Sequence, residues 1–308
     1  MGPEFVQLSL TPLLIAIFAA VACALPGNFL ILRRQALVGD AISHVVLPGI
    51  VVAFILTGTV STGPIFLGAA AAAIAAAILI EIVKRAGNVE PGAAMGVVFS
   101  SLFAAGVLLL EQSDTSGVHL DVEHALYGNL ESLIWLAADG WHSLLDPEAL
   151  ADLPPELFRM MGVALAIAIL TAIFWRPLKI STFDEGFART VGIPAAIVSF
   201  ALVIVSAMAA VAAFDAVGSI IVIAMLICPP AAARLMTNRL EIQILWSILF
   251  AVVSAVVGYV LGGYGPLWLG SEYSVSAAGM IATISGLILA LTCFVGPYRK
   301  RIGEPMAS

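Results

Sequence analysis

Long apolar runs parted by short polar connections set the rhythm of this chain. A helix crosses the hydrocarbon of a bilayer with about 20 mostly apolar residues. Nine stretches come near that length: 10–32, 40–59, 62–83, 93–110, 160–175, 194–214, 217–236, 242–263 and 274–296. Three of them carry helix breakers, at Pro26-Gly27, Pro48-Gly49 and Cys228-Pro229-Pro230. In lipid such breaks persist only where protein or a cavity re-satisfies the freed backbone groups. The pattern predicts an all-α integral membrane protein, a polytopic helical bundle of about nine transmembrane helices with broken spans. Breaks of this kind suit a pathway better than an anchor.

The polar connections sort by charge. Of the 13 basic residues, 12 fall on one side: Arg33 and Arg34; Lys84 and Arg85; Arg176, Lys179 and Arg189; Arg234 and Arg239; and Arg299, Lys300 and Arg301. Only Arg159 falls on the other. The bias predicts an external N-terminus and a cytoplasmic tail, 297–308. The one long external connection, 111–159, holds 10 of the 20 acidic residues. Its middle, Val122 to Leu136, has apolar residues at helical spacing and is expected to form a short outer-face helix, followed by an insert over 138–158 rich in Trp, Pro and acids. Residues 1–9 stand apart, and Met1-Gly2-Pro3-Glu4-Phe5 reads as a cloning remnant because it has no basic n-region. Residues 10–296 then form one membrane domain with no internal repeat.

Composition narrows the function classes. Of 308 residues, 61% are hydrophobic and 11% charged, which excludes a soluble enzyme and a disordered chain alike. The net charge of -7, with no basic patch, leaves nothing to hold nucleic acid. Cys23, Cys228 and Cys293 lie far apart in apolar runs, offer neither a disulfide framework nor a metal knuckle, and are expected to be small core residues. Gly92 with Gly96, and Gly258 with Gly262, predict close helix packing. Glu81 is expected to pair with Lys84 and Arg85. None of Lys84, Lys179 and Lys300 follows a glycine, so the chain has no P-loop, and energy must come from elsewhere. There is also no His-Glu-x-x-His and no Gly-x-Ser-x-Gly.

The candidate chemistry sits at the start of the second span. Asp40 and His44 are four apart in an apolar helix, which puts them on one stripe with about 6 Å of axial rise between them. A carboxylate and an imidazole there can clamp Mn, Fe(II) or Zn. Alternatively, Asp40 caps the helix and His44 is a satisfied core residue. An ionisable residue inside a span is a functional candidate by default.

The stretch Gly39-Asp40-Ala41-Ile42-Ser43-His44-Val45-Val46-Leu47-Pro48-Gly49 resembles, at every position, the signature of the permease subunits of bacterial ABC importers for zinc, manganese or iron. Two further stretches are similar to that family: Glu90 to Ser100, and Phe214-Asp215-Ala216-Val217-Gly218-Ser219-Ile220 running on to Pro229-Pro230-Ala231-Ala232-Ala233-Arg234. The resemblance covers about residues 10–296, although the 138–158 insert is longer than the family leads one to expect. It implies that Asp40 and His44 coordinate the transported metal, with water or other groups completing a deliberately weak shell. It also implies a second permease copy or paralogue, ATP-binding cassette subunits, an extracytoplasmic metal-binding protein, and residence in the bacterial inner membrane. No cofactor is expected to be tightly bound.

Two outlying segments follow from the same resemblance. Residues His119 to Glu131 look like the family's external gate around Gly128-Asn129, so Asp121, Glu123 and His124, together with Asp215 at an outer helix junction, are candidates for the outer metal path. The bland reading is a solvated surface helix whose negative field still attracts cations. On the other side, Phe183 to Pro194 predicts a short helix ended by Gly192 and stopped by Pro194, a knob that fits a partner's groove. It matches the element, within 176–193, through which such permeases contact their ATPase. Asp184, Glu185 and Arg189 would face the partner or water, with Phe187 as anchor. The competing function is a secondary cation carrier or channel using Asp40 and His44 without ATP. An intramembrane metalloenzyme lacks a third ligand and a general base.

Overall fold

Lipid offers the backbone no hydrogen-bonding partner, so each apolar stretch satisfies its own peptide groups as helix. The computed structural model describes residues 3–58, 62–112, 128–268, 270 and 275–297. Regular structure among the described residues is entirely helical. The chain forms α1 (Thr11–Leu32, entered through a π-helical turn, Val6–Leu10), α2 (Val38–Thr57), α3 (Thr62–Gly87) and α4 (Pro91–Gln112). It continues with α5 (Pro155–Ile173), α6 (Trp175–Phe183), α7 (Glu185–Thr190), α8 (Ala195–Met236), α9 (Leu240–Gly263) and α10 (Ala277–Val295). Among the described residues, 8 helical segments are long and apolar enough to cross a membrane, α8 supplying two of them. The 20-residue α2 is the further span of the expected set. The chain is thus a multi-pass membrane protein. The fifth span begins at Pro155, so Arg159 lies within α5 rather than in the outer connection.

The centre of the bundle is α1 against α8, whose spans bury half or more of their residues within the chain; α3, α4, α5, α9 and α10 bury a third or less. The breaks expected at the prolines do not occur. Helix continues through Pro26 in α1, Pro48 in α2, and Pro229 and Pro230 in α8. The interruption of α8, at Gly218 with φ 77° and ψ 169°, falls where its two spans join, the junction expected between 194–214 and 217–236. The prolines are accommodated by close neighbours. Pro230 has no N–H to offer the Leu226 carbonyl, and α1 closes on that oxygen: a Cβ on Gly27 would stand 2.3 Å from it and 3.0 Å from Pro230 Cγ. Glycine alone admits this approach, with a Cα hydrogen facing the carbonyl.

One residue further on, Asn28 is fully buried. Its Nδ2 donates to the Ala24 carbonyl at 2.7 Å, and its Oδ1 accepts from Gln243 Nε2 of α9 at 3.1 Å. An amide pair in an apolar interior specifies register, because any slip leaves both groups unpaired. Between α9 and α10 the expected glycine packing holds, since a Cβ on Gly258 would fall 2.4 Å from Ile281 Cα and one on Gly262 3.1 Å from Ala277 Cα. Gly92 and Gly96 differ. A Cβ on either would meet nothing within 4 Å among the described residues. Cys23 is buried and Cys228 half-buried, whereas Cys293 is exposed on α10, because the hydrophobicity that suggested a core position belongs equally to a lipid-facing one.

The layer covering the start of the first span is built on Trp135, whose side chain is fully buried. Its indole N–H donates to the Ala149 carbonyl at 2.8 Å, and its backbone N–H to that of Gln7, also at 2.8 Å. Val6 is buried in the same cluster, and Phe5 stacks on Trp141 with ring centroids 6.4 Å apart. Of the helix expected over Val122–Leu136, only the part from Gly128 is described. It carries a single 3-10 turn, Leu130–Ser132, because Gly128 adopts φ 71° and the chain then turns to pack on α1. The short α-helix of this layer is Pro147–Ala151, capped by the Asp146 carboxylate, which accepts the Glu148 N–H at 3.1 Å.

Gly27→Ala forces the added methyl into the Leu226 carbonyl and is expected to destabilise the protein by about 1–3 kcal/mol. Thermal unfolding in detergent reads this out. Gly162→Ala, in open space on α5, serves as control; equal unfolding temperatures for the two variants would remove the α1–α8 contact as a source of stability.

Candidate metal pathway and docking helix

The Asp40 motif is positioned from behind by Arg33. Helix α1 ends in a Schellman turn: Gln35 N–H donates to the Leu30 carbonyl at 2.8 Å and Arg34 N–H to that of Ile31 at 3.0 Å. Arg34 holds the left-handed position usually given to glycine, with φ 58°, at a cost of roughly 1 kcal/mol. Arg33, half-buried, donates to Ser181 Oγ at 2.8 Å, to Thr182 Oγ1 at 3.0 Å and to Ser199 Oγ. Burial lowers the pKa of its guanidinium from the ordinary value, and the Glu185 carboxylate works in the opposite direction. The Arg33 latch ties the α1–α2 corner to both α6 and α8.

From that corner α2 starts at Val38, so Asp40 lies in its first turn and His44 one turn later, at the spacing the sequence predicted. Ala41 and Val45 between and beyond them are buried. The side chains of Asp40, His44 and Asp215 lie outside the described residues. The end of the motif has a packing role that the sequence did not reveal. A Cβ on Gly49 would fall 2.5 Å from the Gly68 carbonyl oxygen of α3, one on Gly68 would fall 2.5 Å from the Gly49 oxygen, and one on Gly106 of α4 would lie 2.7 Å from Pro48 Cβ. Pro48-Gly49 therefore seats α2 against α3 and α4, and the motif's imidazole and acid sit one and two turns, respectively, before this wedge. Among the described residues no three His, Cys, Asp or Glu side chains form a metal-holding group.

At the end of the bundle where the two spans of α8 join, the loop meets that junction. A Cβ on Gly128 would stand 2.4 Å from Gly218 N and 2.4 Å from Val217 C, so the Gly-Asn segment rests directly on the α8 break, with Asp215 three residues before it. Asp121, Glu123 and His124 lie outside the described residues. Glu131 has a role that sequence reasoning missed: its Oε1 accepts the Ala277 N–H at 2.8 Å and caps α10. A cavity of about 460 Å³ opens beside Asn129, Glu131 and Ser276.

On the opposite side, α7 is a single closed unit. Asp184 caps its start, its carboxylate accepting the Phe187 N–H at 2.8 Å. Its end is a Schellman turn in which Ile193 N–H donates to the Ala188 carbonyl at 2.8 Å and Gly192 N–H to that of Arg189 at 3.2 Å, with Gly192 at φ 79°. Ala188 is the buried foot, while Glu185 and Arg189 are exposed and Phe187 is 54% exposed. Asp184 thus holds the helix start with one carboxylate oxygen while remaining exposed. Lys179 of α6 pairs with Glu241 of α9 at 2.5 Å, fixing the preceding helix to the bundle.

Among the described residues, eight membrane-crossing segments gathered around α1 and α8 define a polytopic helical membrane protein. The ABC 3 transport family model matches residues 6–135 and 148–296, and the chain belongs to this family; the gap falls partly within the insert. The manganese transport system membrane protein MntD of Bacillus subtilis is 37% identical over 282 residues, 91% of this chain and 90% of that protein. The zinc transport system membrane protein TroD of Treponema pallidum is 36% identical over 286 residues, 92% of this chain and 73% of that protein. Among solved structures, PsaBC from Streptococcus pneumoniae in complex with Fab matches with a TM-score of 0.73 at 30% identity, covering 95% of this chain and 93% of that one.

Proposed function

We propose that this chain is the permease of an ABC importer that carries Mn, Zn or Fe as a divalent ion across the bacterial inner membrane, with the N-terminus outside and the C-terminus in the cytoplasm. The observation that carries the reading is the Asp40–His44 pair, one turn apart at the start of α2, in a family whose relatives above are named for manganese and zinc transport. The metal is cargo. One carboxylate and one imidazole are too few for a tight site, and a weak shell is what release requires. A second permease completes the pathway, an extracytoplasmic binding protein delivers the ion near Gly128, and Asp215 with the 121–124 acids and His124 guides it inward. ATP is hydrolysed by cassette subunits that dock on α7, where exposed Phe187 is the anchor and Glu185 and Arg189 flank it.

Asp40→Ala or His44→Ala is expected to abolish metal uptake into reconstituted vesicles while the complex with the ATPase still purifies intact. Wild-type uptake by both variants would remove the site assignment. Uptake driven by a proton gradient without any ATPase would instead favour a secondary carrier. For the docking helix, Phe187→Ala or Glu185→Lys should lower metal-stimulated ATP hydrolysis at least roughly tenfold, the scale of one interface hot spot. Unchanged stimulation would place the docking element elsewhere.

A further inference from the structure

The docking reading leaves unused a cavity of about 410 Å³ at the α7 end of the bundle, between α3, α4 and α8. Its wall has two chemistries. Ala77, Ile80, Met95, Phe200 and Val203, all on membrane spans, make an apolar side, and Lys84, Arg85 and Arg189 with Glu81 and Glu185 make a charged rim. Lys84 and Arg85 occupy the last turn of α3, the level at which a span leaves the hydrocarbon. Glu81 is already engaged, with Lys84 Nζ at 3.3 Å and Arg85 Nε at 2.6 Å. Glu185 shares the field of Arg33. The rim therefore carries one more positive than negative charge, which disfavours a metal ion and favours an anion. Gln35 adds a hydrogen-bond acceptor: its Oε1 is buried, has no partner among the described residues, and belongs to the same lining.

An anion that also needs an apolar wall, at the edge of a bilayer, is an amphiphile. We propose that this cavity binds an anionic phospholipid with a hydroxylated headgroup, from the leaflet on the α7 side. Its phosphate lies among Lys84, Arg85 and Arg189, an acyl chain runs along Ile80, Met95 and Phe200, and a headgroup hydroxyl donates to Gln35. Because Arg189 and Glu185 belong to α7, lipid occupancy bears directly on the exposed knob. The proposal does not depend on which metal is carried, nor on the Asp40–His44 assignment.

The test uses the full chain, with whatever subunits co-purify, in nanodiscs of equal phosphatidylglycerol and phosphatidylcholine, followed by native mass spectrometry of the retained lipid. The wild-type protein is expected to retain phosphatidylglycerol preferentially. Lys84→Gln with Arg85→Gln lowers that preference roughly 20-fold, the effect of two interfacial charges, whereas Arg176→Gln leaves it unchanged. Phe200→Trp, which narrows the cavity without touching a charge, lowers retention of phosphatidylglycerol and keeps the proposal testable should the double variant fold poorly. No headgroup preference in the wild type, or unaltered preference in both cavity variants, overturns it. So does retention of inorganic phosphate with no lipid.

Discussion

The backbone of a membrane span has no water to fall back on, and the architecture depends on how each freed peptide group is met. Proline removes a donor wherever it stands in a helix, and this chain places Pro26, Pro48, Pro229 and Pro230 within spans. The central instance is the Leu226 carbonyl, released by Pro230 and approached so closely by Gly27 that no side chain fits between them. That contact joins α1 to α8, the pair that buries the most surface, and the Asn28–Gln243 amide bond one residue away carries the same register on to α9. Helices that cannot slide hold their ends in place.

The fixed end of α1 is what the candidate pathway uses. Arg33 and the tight turn at Arg34 deliver the chain into α2 at one position, and Pro48-Gly49 wedges the far end of the motif between α3 and α4. Asp40 and His44 are thus held on a helix clamped before and after them. The same Arg33 reaches Ser181 and Thr182 on α6, the helix that leads into α7. One half-buried cation therefore links the start of the candidate metal helix to the base of the candidate docking helix. Across the bundle, Gly128 sits on the Gly218 kink, so the loop and the junction of the two α8 spans meet at one contact.

Much of this was legible in the sequence, and the parts that were not have physical reasons. Hydropathy marked the spans because lipid imposes a length. Gly192 and Pro194 announce the end of α7 because a left-handed stop is local chemistry, whereas the Asp184 cap at its start emerges only in the structure. Gly258 and Gly262 foretold the α9–α10 contact. Pro229-Pro230, by contrast, leaves its span unbroken, because a proline's effect depends on which neighbour meets the freed carbonyl, and Gly27 is 199 positions away from Leu226 in the chain; the kink at Gly218 falls where hydropathy already parts two spans. The turn at Gly128 was read as helix because its apolar spacing is helical, while its φ is set by the close approach to α8. Cys293 was taken as core because a lipid-facing position and a buried one look alike in composition. Glu131 was counted among solvated acids; its cap on Ala277 joins residues 146 apart, and no local pattern reports that.

The central claim is that one carboxylate and one imidazole on α2 hold the travelling ion. X-ray absorption at the metal edge of the reconstituted, metal-loaded transporter tests it most directly. The account predicts a mixed shell with an imidazole nitrogen at about 2.0–2.2 Å, lost in His44→Ala. A shell of oxygen alone, or one unchanged by that substitution, would contradict it.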